Sequence, residues 1–334
     1  MARVLVTGAS GFLGRHLCRS LADHGHEVVA LARHVEQLPD HVVPRRGDVL
    51  DQASIRDAAA GCVAVFHCAG KVSRRPEDAE ELHRVHVEGT RHVLEACKAA
   101  HVKRAIVAST SGTVAVGDDP DHIHTETDPS PLGLIQRWPY YRSKLFAEQA
   151  ALALNAPDFE VVCVNPTLLL GPGDDRGSST EDVRLFLEKK IPAVPPGGMS
   201  YVDARDAAEA MRLAWDKGVP GERYLVGACN LTVREFFARL ARITGIAAPW
   251  IPLPRNPEIA RLGAKLLDDV ARRLGVSMPV EAQSLDMAQY YWYLDATRAE
   301  TVLGWQPRDP MTTLVDTVDD LRERGVVWPD APAL

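Results

Sequence analysis

Apolar positions follow two rhythms along the chain. Short runs rich in Val, Ile, Leu and Ala alternate with longer segments of helical period, the pattern of a parallel sheet joined by crossover helices. Strands are predicted near 3–6, 27–32, 42–46, 63–67, 103–109, 160–165 and 222–227, and helices near 12–24, 52–60, 77–100, 140–155 and 206–217. The strands are apolar at consecutive positions, as in Val28-Val29-Ala30-Leu31 and Ala105-Ile106-Val107-Ala108. Such runs predict burial on both faces of the sheet. After residue 166 the texture changes: Gly171-Pro172-Gly173-Asp174-Asp175 and Pro192 to Gly198 are turn-rich and interrupt the sheet. Asp203 followed by Asp206 predicts a capping arrangement for the helix over Ala207, Ala208, Ala210 and Met211. Beyond Thr232 the chain reads as mainly helical. Ile259, Leu262, Leu266, Leu267, Val270 and Leu274 form one stripe, expected to pack on its own lobe rather than on a membrane surface. The fold class is therefore α/β: a doubly wound parallel sheet of about seven strands with a smaller, mainly helical C-terminal lobe.

Bulk properties narrow the function. The length of 334 residues suffices for one large domain or two lobes sharing a core. A net charge of -7 offers no basic footprint, so no nucleic-acid partner is expected. Cys18, Cys62, Cys68, Cys97, Cys163 and Cys229 include no CxxC pair and read as reduced side chains of a cytoplasmic protein. A strand is predicted almost at the initiator, so no signal peptide is expected, and no apolar run reaches the length of a membrane span. Among twelve histidines there is no HExxH. His83 and His86, three apart, lack a matching ligand pattern, and no metal site is expected.

The first strand runs into Thr7-Gly8-Ala9-Ser10-Gly11-Phe12-Leu13-Gly14 and then a helix. Gly8 permits the tight turn, Gly11 lets the backbone approach a pyrophosphate, and Gly14 lets helix press on strand. The helix start at Phe12 and Leu13 offers N–H groups and a positive dipole end to the anion. Placed at the first strand–helix junction of a βαβ run, this is a dinucleotide-binding signature and makes the sheet a Rossmann fold. The second strand ends in Ala32-Arg33. A NAD-preferring site would carry Asp or Glu there, whereas a guanidinium suits a 2′-phosphate, so NADP(H) is expected, with NAD(H) the alternative. Asp48 and Val49 follow the third strand and would flank the adenine; alternatively, Asp48 caps the next turn. The Rossmann domain is assigned to 1–167 and 205–228 and the substrate-binding lobe to 168–204 and 229–334.

Tyr140-Tyr141-Arg142-Ser143-Lys144 opens a predicted helix. Residues four apart share a face, which pairs Lys144 with Tyr140 and not with Tyr141. An adjacent ammonium would lower the phenol pKa and make it a usable acid or base.

Together these residues resemble the extended short-chain dehydrogenase/reductase family of the NAD-dependent epimerase/dehydratase superfamily. The likeness is greatest to its dihydroflavonol-4-reductase-like and 3β-hydroxysteroid-dehydrogenase-like branch. It spans the chain through Thr7 to Gly14, Gly47-Asp48-Val49, Phe66-His67-Cys68-Ala69-Gly70, Val87-Glu88-Gly89-Thr90, Ser109-Thr110-Ser111-Gly112-Thr113, Tyr140 to Lys144, Asn165-Pro166-Thr167, Tyr201-Val202-Asp203 and Leu303-Gly304-Trp305. The resemblance implies a hydroxyl at Thr110 or Ser111 holding a substrate carbonyl oxygen while Tyr140 protonates it, with Lys144 also on the nicotinamide ribose. It places Ala69 and Gly70 near the pyrophosphate, Pro166 and Thr167 near the nicotinamide amide, and a homodimer contact on the helices near 77–100 and 140–155.

Two departures matter. His86 stands where members of the family commonly carry Asn, so that residue's role does not transfer. Ser111-Gly112 follow Thr110 where dehydratases carry Asp-Glu, so dehydration is not expected. The leading expectation is an oxidoreductase acting on a small carbonyl or alcohol substrate. A nucleotide-sugar epimerase with retained NAD and a non-catalytic NADP sensor are the rivals. Trp250, Leu253, Leu266, Leu267, Met278, Met287, Tyr290, Tyr291 and Trp292 favour a largely apolar substrate.

Overall fold

A computed structural model describes residues 1–191, 193–254 and 282–327. In chain order the elements are β1 (Arg3–Thr7), α1 (Phe12–Asp23), β2 (Glu27–Ala32), β3 (Val43–Arg46), α2 (Gln52–Ala59), β4 (Ala64–His67), α3 (Ala79–His83), α4 (Gly89–Ala99), β5 (Arg104–Ala108), α5 (Leu132–Ile135), α6 (Pro139–Leu152), β6 (Glu160–Pro166), β7 (Leu168–Leu170), α7 (Glu181–Leu187), β8 (Gly198–Asp203), α8 (Ala204–Lys217), β9 (Arg223–Val226), β10 (Cys229–Thr232), α9 (Val233–Thr244), α10 (Ala282–Met287) and α11 (Pro310–Glu323). A π-turn over Arg84–Glu88 joins α3 to α4, so the helix predicted at 77–100 is nearly continuous. None of the described helices is long and apolar enough to cross a membrane.

Seven strands form one sheet in the order β3-β2-β1-β4-β5-β6-β9, every pair parallel. Side chains alternate across a strand, and the alternation assigns each apolar residue to a layer. Val4, Val6, Val28, Ala30, Phe66, Ile106, Val162 and Val164 join one core with α1 and α8. Leu5, Val29, Leu31, Val65, Ala105, Val107, Val161 and Cys163 join another with α2, α4 and the end of α6. Cover on both faces is why the strands carry apolar residues consecutively. The strand order reverses on either side of β1, and in such sheets the crevice beyond the carboxyl ends of the strands is where ligands bind.

A second sheet, β10-β8-β7, stands where the sequence reads as turn-rich before its mainly helical stretch beyond Thr232. Its strands are three to six residues long, too short to show a period among the surrounding Gly and Pro. Leu170, Tyr201 and Leu231 from this sheet pack with Phe186, Phe236, Phe237, Leu314 and Val318 of α7, α9 and α11. The predicted stripe from Ile259 to Leu274 lies outside the described residues.

Asp203 caps α8 alone, its side chain accepting from the Arg205 backbone N–H at 2.9 Å. Asp206 does not take part in the cap. Its carboxylate accepts from Arg308 Nε at 3.0 Å and from the Arg308 backbone N–H at 2.8 Å, because the Leu303-Gly304-Trp305 segment docks here. Trp305 is fully buried and its indole N–H donates to the Asp206 carbonyl at 2.8 Å.

The nucleotide-binding turn is set by one close approach. A Cβ at Gly14 would lie 2.1 Å from the Gly8 carbonyl oxygen. Gly14→Ala must push α1 off β1, and we expect a loss of about 1–3 kcal/mol in urea unfolding. Gly133→Ala, with nothing within 4 Å of the added carbon, serves as the neutral reference. Equal midpoints for the two variants would contradict the close-packing account.

Candidate active site

Gly8 has φ +73 and an added Cβ would meet the Ala69 nitrogen at 2.6 Å, so the β1 and β4 turns touch with no room for a side chain between them. Ala69 and Gly70 therefore pass directly over the glycine turn. At the start of α1 the N-cap is Gly11, no side chain caps the helix, and the first turn carries no acidic residue. Such an end keeps its N–H groups and positive dipole available to an anion at Phe12 and Leu13. A cradle that excludes every Cβ, beside an uncapped helix start, fits the diphosphate of a dinucleotide.

Arg33 follows β2 directly, is exposed, and makes no hydrogen bond or ion pair with a described residue. Arg46 ends β3 in register with Ala32, a second exposed guanidinium at the same sheet edge. Asp48 accepts from the Leu50 backbone N–H at 3.0 Å, so the turn-capping alternative is realised in its own loop. Val49 packs against the cluster beneath the sheet. At the other end of the crevice Pro166 closes β6, and Thr167 N–H donates to the Val226 carbonyl at 2.9 Å.

Tyr140 and Lys144 lie one turn apart near the start of α6. The Lys144 ammonium donates to the Ala108 carbonyl at 2.6 Å, which puts it at the end of β5, beside Thr110 and Ser111. Burial pushes the Lys144 pKa down to about 8, against upward pulls from Cys68, Glu148 and Cys163. The expected lowering of the Tyr140 pKa is not found. Burial holds that phenol above its ordinary value, with Tyr141 adding to the effect, because Lys144 directs its charge to a carbonyl. Tyr141 packs edge-to-face on the Tyr140 ring at 5.0 Å. Its ring meets Trp292 at 4.8 Å and lies against Gly112, where a Cβ would fall 2.3 Å from the ring.

Thr110 and Ser111 are both buried. Thr110 caps a short turn, its hydroxyl accepting from the Gly112 N–H at 3.4 Å, a long contact that leaves the oxygen weakly engaged. The local turn-forming role is thus present at Thr110, while no hydrogen bond engages the Ser111 hydroxyl among the described residues.

Two histidines to which the sequence assigns no role are structural struts. His86 Nε2 accepts from the Lys71 backbone N–H at 3.1 Å, so its Nδ1 carries the proton and donates to Ser143 Oγ at 2.8 Å. Ser143 in turn donates to the Tyr140 carbonyl at 2.8 Å. His86 thus ties the loop after Gly70 to the first turn of α6, with its ring edge-on to Tyr140 at 5.6 Å. His67 spans Thr7 Oγ1 at 2.7 Å and Thr90 Oγ1 at 2.9 Å. Burial and then the nearby Lys144 charge drive its pKa down to about 3, so it bridges β1, β4 and α4 as a neutral ring.

Sequence reasoning missed the buried hub beneath the site. Glu148 Oε2 accepts from Ser109 Oγ, from Thr113 Oγ1 at 3.0 Å and from Asn165 Nδ2 at 2.6 Å. Its other oxygen faces Arg223 Nε at 3.1 Å. Asn165 Nδ2 also reaches the Thr110 carbonyl at 3.1 Å. The spacing Tyr140, Lys144, Glu148 was the available signal, since steps of four keep all three on one helix face.

The aromatic residues expected in the substrate lobe divide. Tyr290, Trp292 and Met287 pack with Trp138, Ile135 and Leu145 beside Tyr141, and Trp138 stacks on Trp292 at 5.5 Å. Tyr291 is buried, its hydroxyl donating to the Pro196 carbonyl at 3.0 Å. Trp250 is exposed and Leu253 half-buried, while Leu266, Leu267 and Met278 lie outside the described residues.

The family model for the NAD dependent epimerase/dehydratase family matches residues 4–227. The chain belongs to that family. Several relatives match it over nearly its whole length. It is 32% identical to sterol demethylase protein B of Methylococcus capsulatus, over 97% of this chain and 99% of that one. It is 30% identical to the 4-hydroxy-2-methyl-3-oxo-4-farnesyl-3,4-dihydroquinoline-1-oxide ketoreductase of Stigmatella aurantiaca, over 97% and 96%. The crystal structure of gox2253 superposes with a TM-score of 0.83 at 26% identity, covering 97% of this chain and 99% of that one. As a member of the epimerase/dehydratase family the chain is an NAD(P)-dependent oxidoreductase of the short-chain dehydrogenase/reductase type.

The hub makes a direct prediction about stability. Glu148→Ala removes the carboxylate that Arg223 faces and that Ser109, Thr113 and Asn165 donate to, and breaking such a buried pair costs about 3–5 kcal/mol. We expect a loss in that range by chemical denaturation. A loss below about 1 kcal/mol would mean that water or rotation replaces the carboxylate.

Proposed function

We propose that the chain is an NADP(H)-dependent carbonyl reductase, or alcohol dehydrogenase in reverse, acting on a largely apolar small molecule. The observation that carries this reading is the placement of Tyr140 one turn from Lys144, with the Lys144 ammonium held at the carboxyl end of β5 next to Thr110 and Ser111. The Gly8–Gly14 cradle with Ala69 and Gly70 above it supports dinucleotide binding, and Arg33 supports a 2′-phosphate. We assign the substrate side to 168–204 and 229–334 together with the loop before α6. The aromatic wall of Tyr141, Trp292, Trp138 and Tyr290 supports an apolar substrate over a nucleotide sugar. A relative named as a ketoreductase and another named for a sterol agree with that substrate class.

In this reading the bound cofactor supplies hydride to the carbonyl carbon or takes it from the alcohol. Tyr140 donates its phenolic proton to the substrate oxygen as negative charge develops there. The hydroxyl of Thr110 or Ser111 donates a hydrogen bond to the same oxygen and fixes its direction. Lys144, one turn from the phenol and held at the end of β5, would bind the nicotinamide ribose. Ser143 and His86 hold the first turn of α6, and so the Tyr140 backbone, in place. The buried ring wall excludes water from the reacting oxygen.

Fluorescence titration with NADPH and NADH, followed by cofactor oxidation with a panel of aromatic, steroidal and aliphatic ketones, tests the proposal. We expect tighter NADPH binding, turnover with an apolar ketone, and at least a hundredfold or so loss of kcat in Tyr140→Phe with cofactor affinity retained. Arg33→Ala should weaken NADPH by about tenfold and leave NADH unchanged. Retained NAD with nucleotide-sugar interconversion and no net cofactor oxidation would replace this reading with an epimerase.

The proton inventory adds a pH dependence. Lys144 loses its charge as pH rises through about 8, and reduction consumes a proton. The kcat/KM for reduction, which reports groups of the free enzyme, should fall above that pH, while kcat/KM for oxidation holds or rises. A flat reductive profile from pH 6 to 10, roughly two units either side, would detach Lys144 from the proton path.

A further inference from the structure

The loop between β5 and α6 carries a side-chain cluster that the proposed reaction does not use. His122 Nε2 lies 2.8 Å and His124 Nδ1 3.0 Å from the same oxygen, Asp128 Oδ2. One ligand-type atom from each residue falls within 4.8 Å of the others. The two rings stand edge to face with centroids 4.3 Å apart, so both imidazoles converge on one point from different sides.

The loop is fixed on both flanks. His124 N–H donates to the Tyr293 carbonyl at 3.1 Å, and the His124 carbonyl accepts from Asp295 N–H at 2.8 Å. Two residues on, Glu126 accepts from the Leu225 N–H at 2.9 Å, at the edge strand of the main sheet. Asp128 is turned inward by its own backbone N–H to Thr125 at 3.2 Å, and Thr125 Oγ1 donates to Asp128 Oδ1 at 3.3 Å. The segment carrying His124 and Asp128 is therefore held by backbone pairing, and His122 joins it through its side chain.

Solvent reaches the cluster from the His122 side. That side chain is 49% exposed, against 12% for His124 and 22% for Asp128. Neutral imidazole and carboxylate are the forms that bind a metal. Asp118, Asp119 and Asp121 lie in the same loop and add a negative field over the entrance.

We propose that His122, His124 and Asp128 bind one divalent transition-metal ion of the zinc class, with water completing the coordination. Two imidazole nitrogens and one carboxylate oxygen are a zinc ligand set. Tetrahedral bonds of about 2.0–2.1 Å put ligand atoms about 3.3 Å apart. The distances of 2.8 and 3.0 Å need to open by a few tenths of an ångström, and the two ring nitrogens, within 4.8 Å of each other, settle to the same spacing. The ion replaces the two N–H protons shared with Asp128, and each ring moves its proton to the other nitrogen or releases it to water. The site lies on the segment pairing with 291–295, next to Trp292, so the metal locks that loop without entering the chemistry at Tyr140.

The test uses the full-length protein stripped with a chelator and dialysed, titrated with Zn2+ by calorimetry and with Co2+ by visible absorption. We expect one Zn2+ per chain, Co2+ ligand-field bands that Zn2+ displaces, and a Tm raised by a few degrees. His122→Ala, an exposed change compatible with folding, should weaken binding by at least about tenfold and remove the Tm rise. Asp128→Asn should do the same. His34→Ala, another exposed histidine beside a carboxylate, should bind as the parent does. Absence of stoichiometric binding, or His122→Ala binding as tightly as the parent, would overturn the site, as would an equal loss in His34→Ala.

Discussion

A carboxyl group buried to 1% exposure must find its polar partners inside the protein, and Glu148 finds them on three different elements. Ser109 and Thr113 come from the end of β5 and the turn beyond it, Asn165 from the end of β6, and Arg223 from β9. The pairing fixes α6 in both height and rotation over the sheet. Since Tyr140 and Lys144 precede Glu148 by two turns and one turn, fixing its phase also fixes theirs. Lys144 then meets the Ala108 carbonyl. Asn165 adds a tie to the Thr110 carbonyl, so the same hub that orients the helix also positions the strand end carrying the hydroxyl. The relative placement of phenol, ammonium and hydroxyl follows from the need to satisfy one buried polar group.

Above that hub the site tolerates little further charge. Lys144 is pushed down to about 8 and His67 to about 3, burial being the first cause of both. His86 is also held well below its ordinary value, by burial and then by the Lys144 charge. Neutral imidazole presents one donor and one acceptor, the same pair that an asparagine amide offers. His86 uses both, accepting from Lys71 N–H and donating to Ser143. A protonated ring could not accept the first bond. Burial thus keeps the ring neutral, and the histidine acts as a strut holding the first turn of α6.

The parallel sheet, its crossover helices and the nucleotide cradle were legible in the sequence because each rests on local pattern. Consecutive apolar residues mark two-sided burial, and Gly8 to Gly14 act within a single turn. Tyr140 and Lys144 were legible for the same reason, four residues apart on one helix. Three things were not. The β7, β8 and β10 sheet is too short to show a period. The Asp203–Asp206 cap was half right, because Asp206 is taken by Arg308, 102 positions away. The Tyr140 pKa was expected to fall on spacing alone, whereas burial and the Ala108 carbonyl decide where the Lys144 charge goes. His122 and His124 escaped notice because convergence on Asp128 depends on a turn and on pairing with 293–295, neither of which the spacing reveals.

Glycine links the two ends of the crevice through one physical argument. At Gly14 the neighbour that forbids a Cβ is the backbone oxygen of Gly8. At Gly112 the neighbours are the rings of Tyr141 and Trp292, which an added Cβ would meet at 2.3 and 2.8 Å. The first contact is local and, in the proposed reading, would serve the invariant diphosphate of the cofactor. The second joins three distant segments: the turn after Thr110 and Ser111, the start of α6, and the stretch after α10. Any change of ring size at Trp292 must therefore be felt at Gly112, and through it at the two candidate hydroxyls next to it. The rings of Tyr141 and Trp292 and the turn after Thr110 form one packed unit, so in the proposed reaction substrate shape and carbonyl alignment would be coupled.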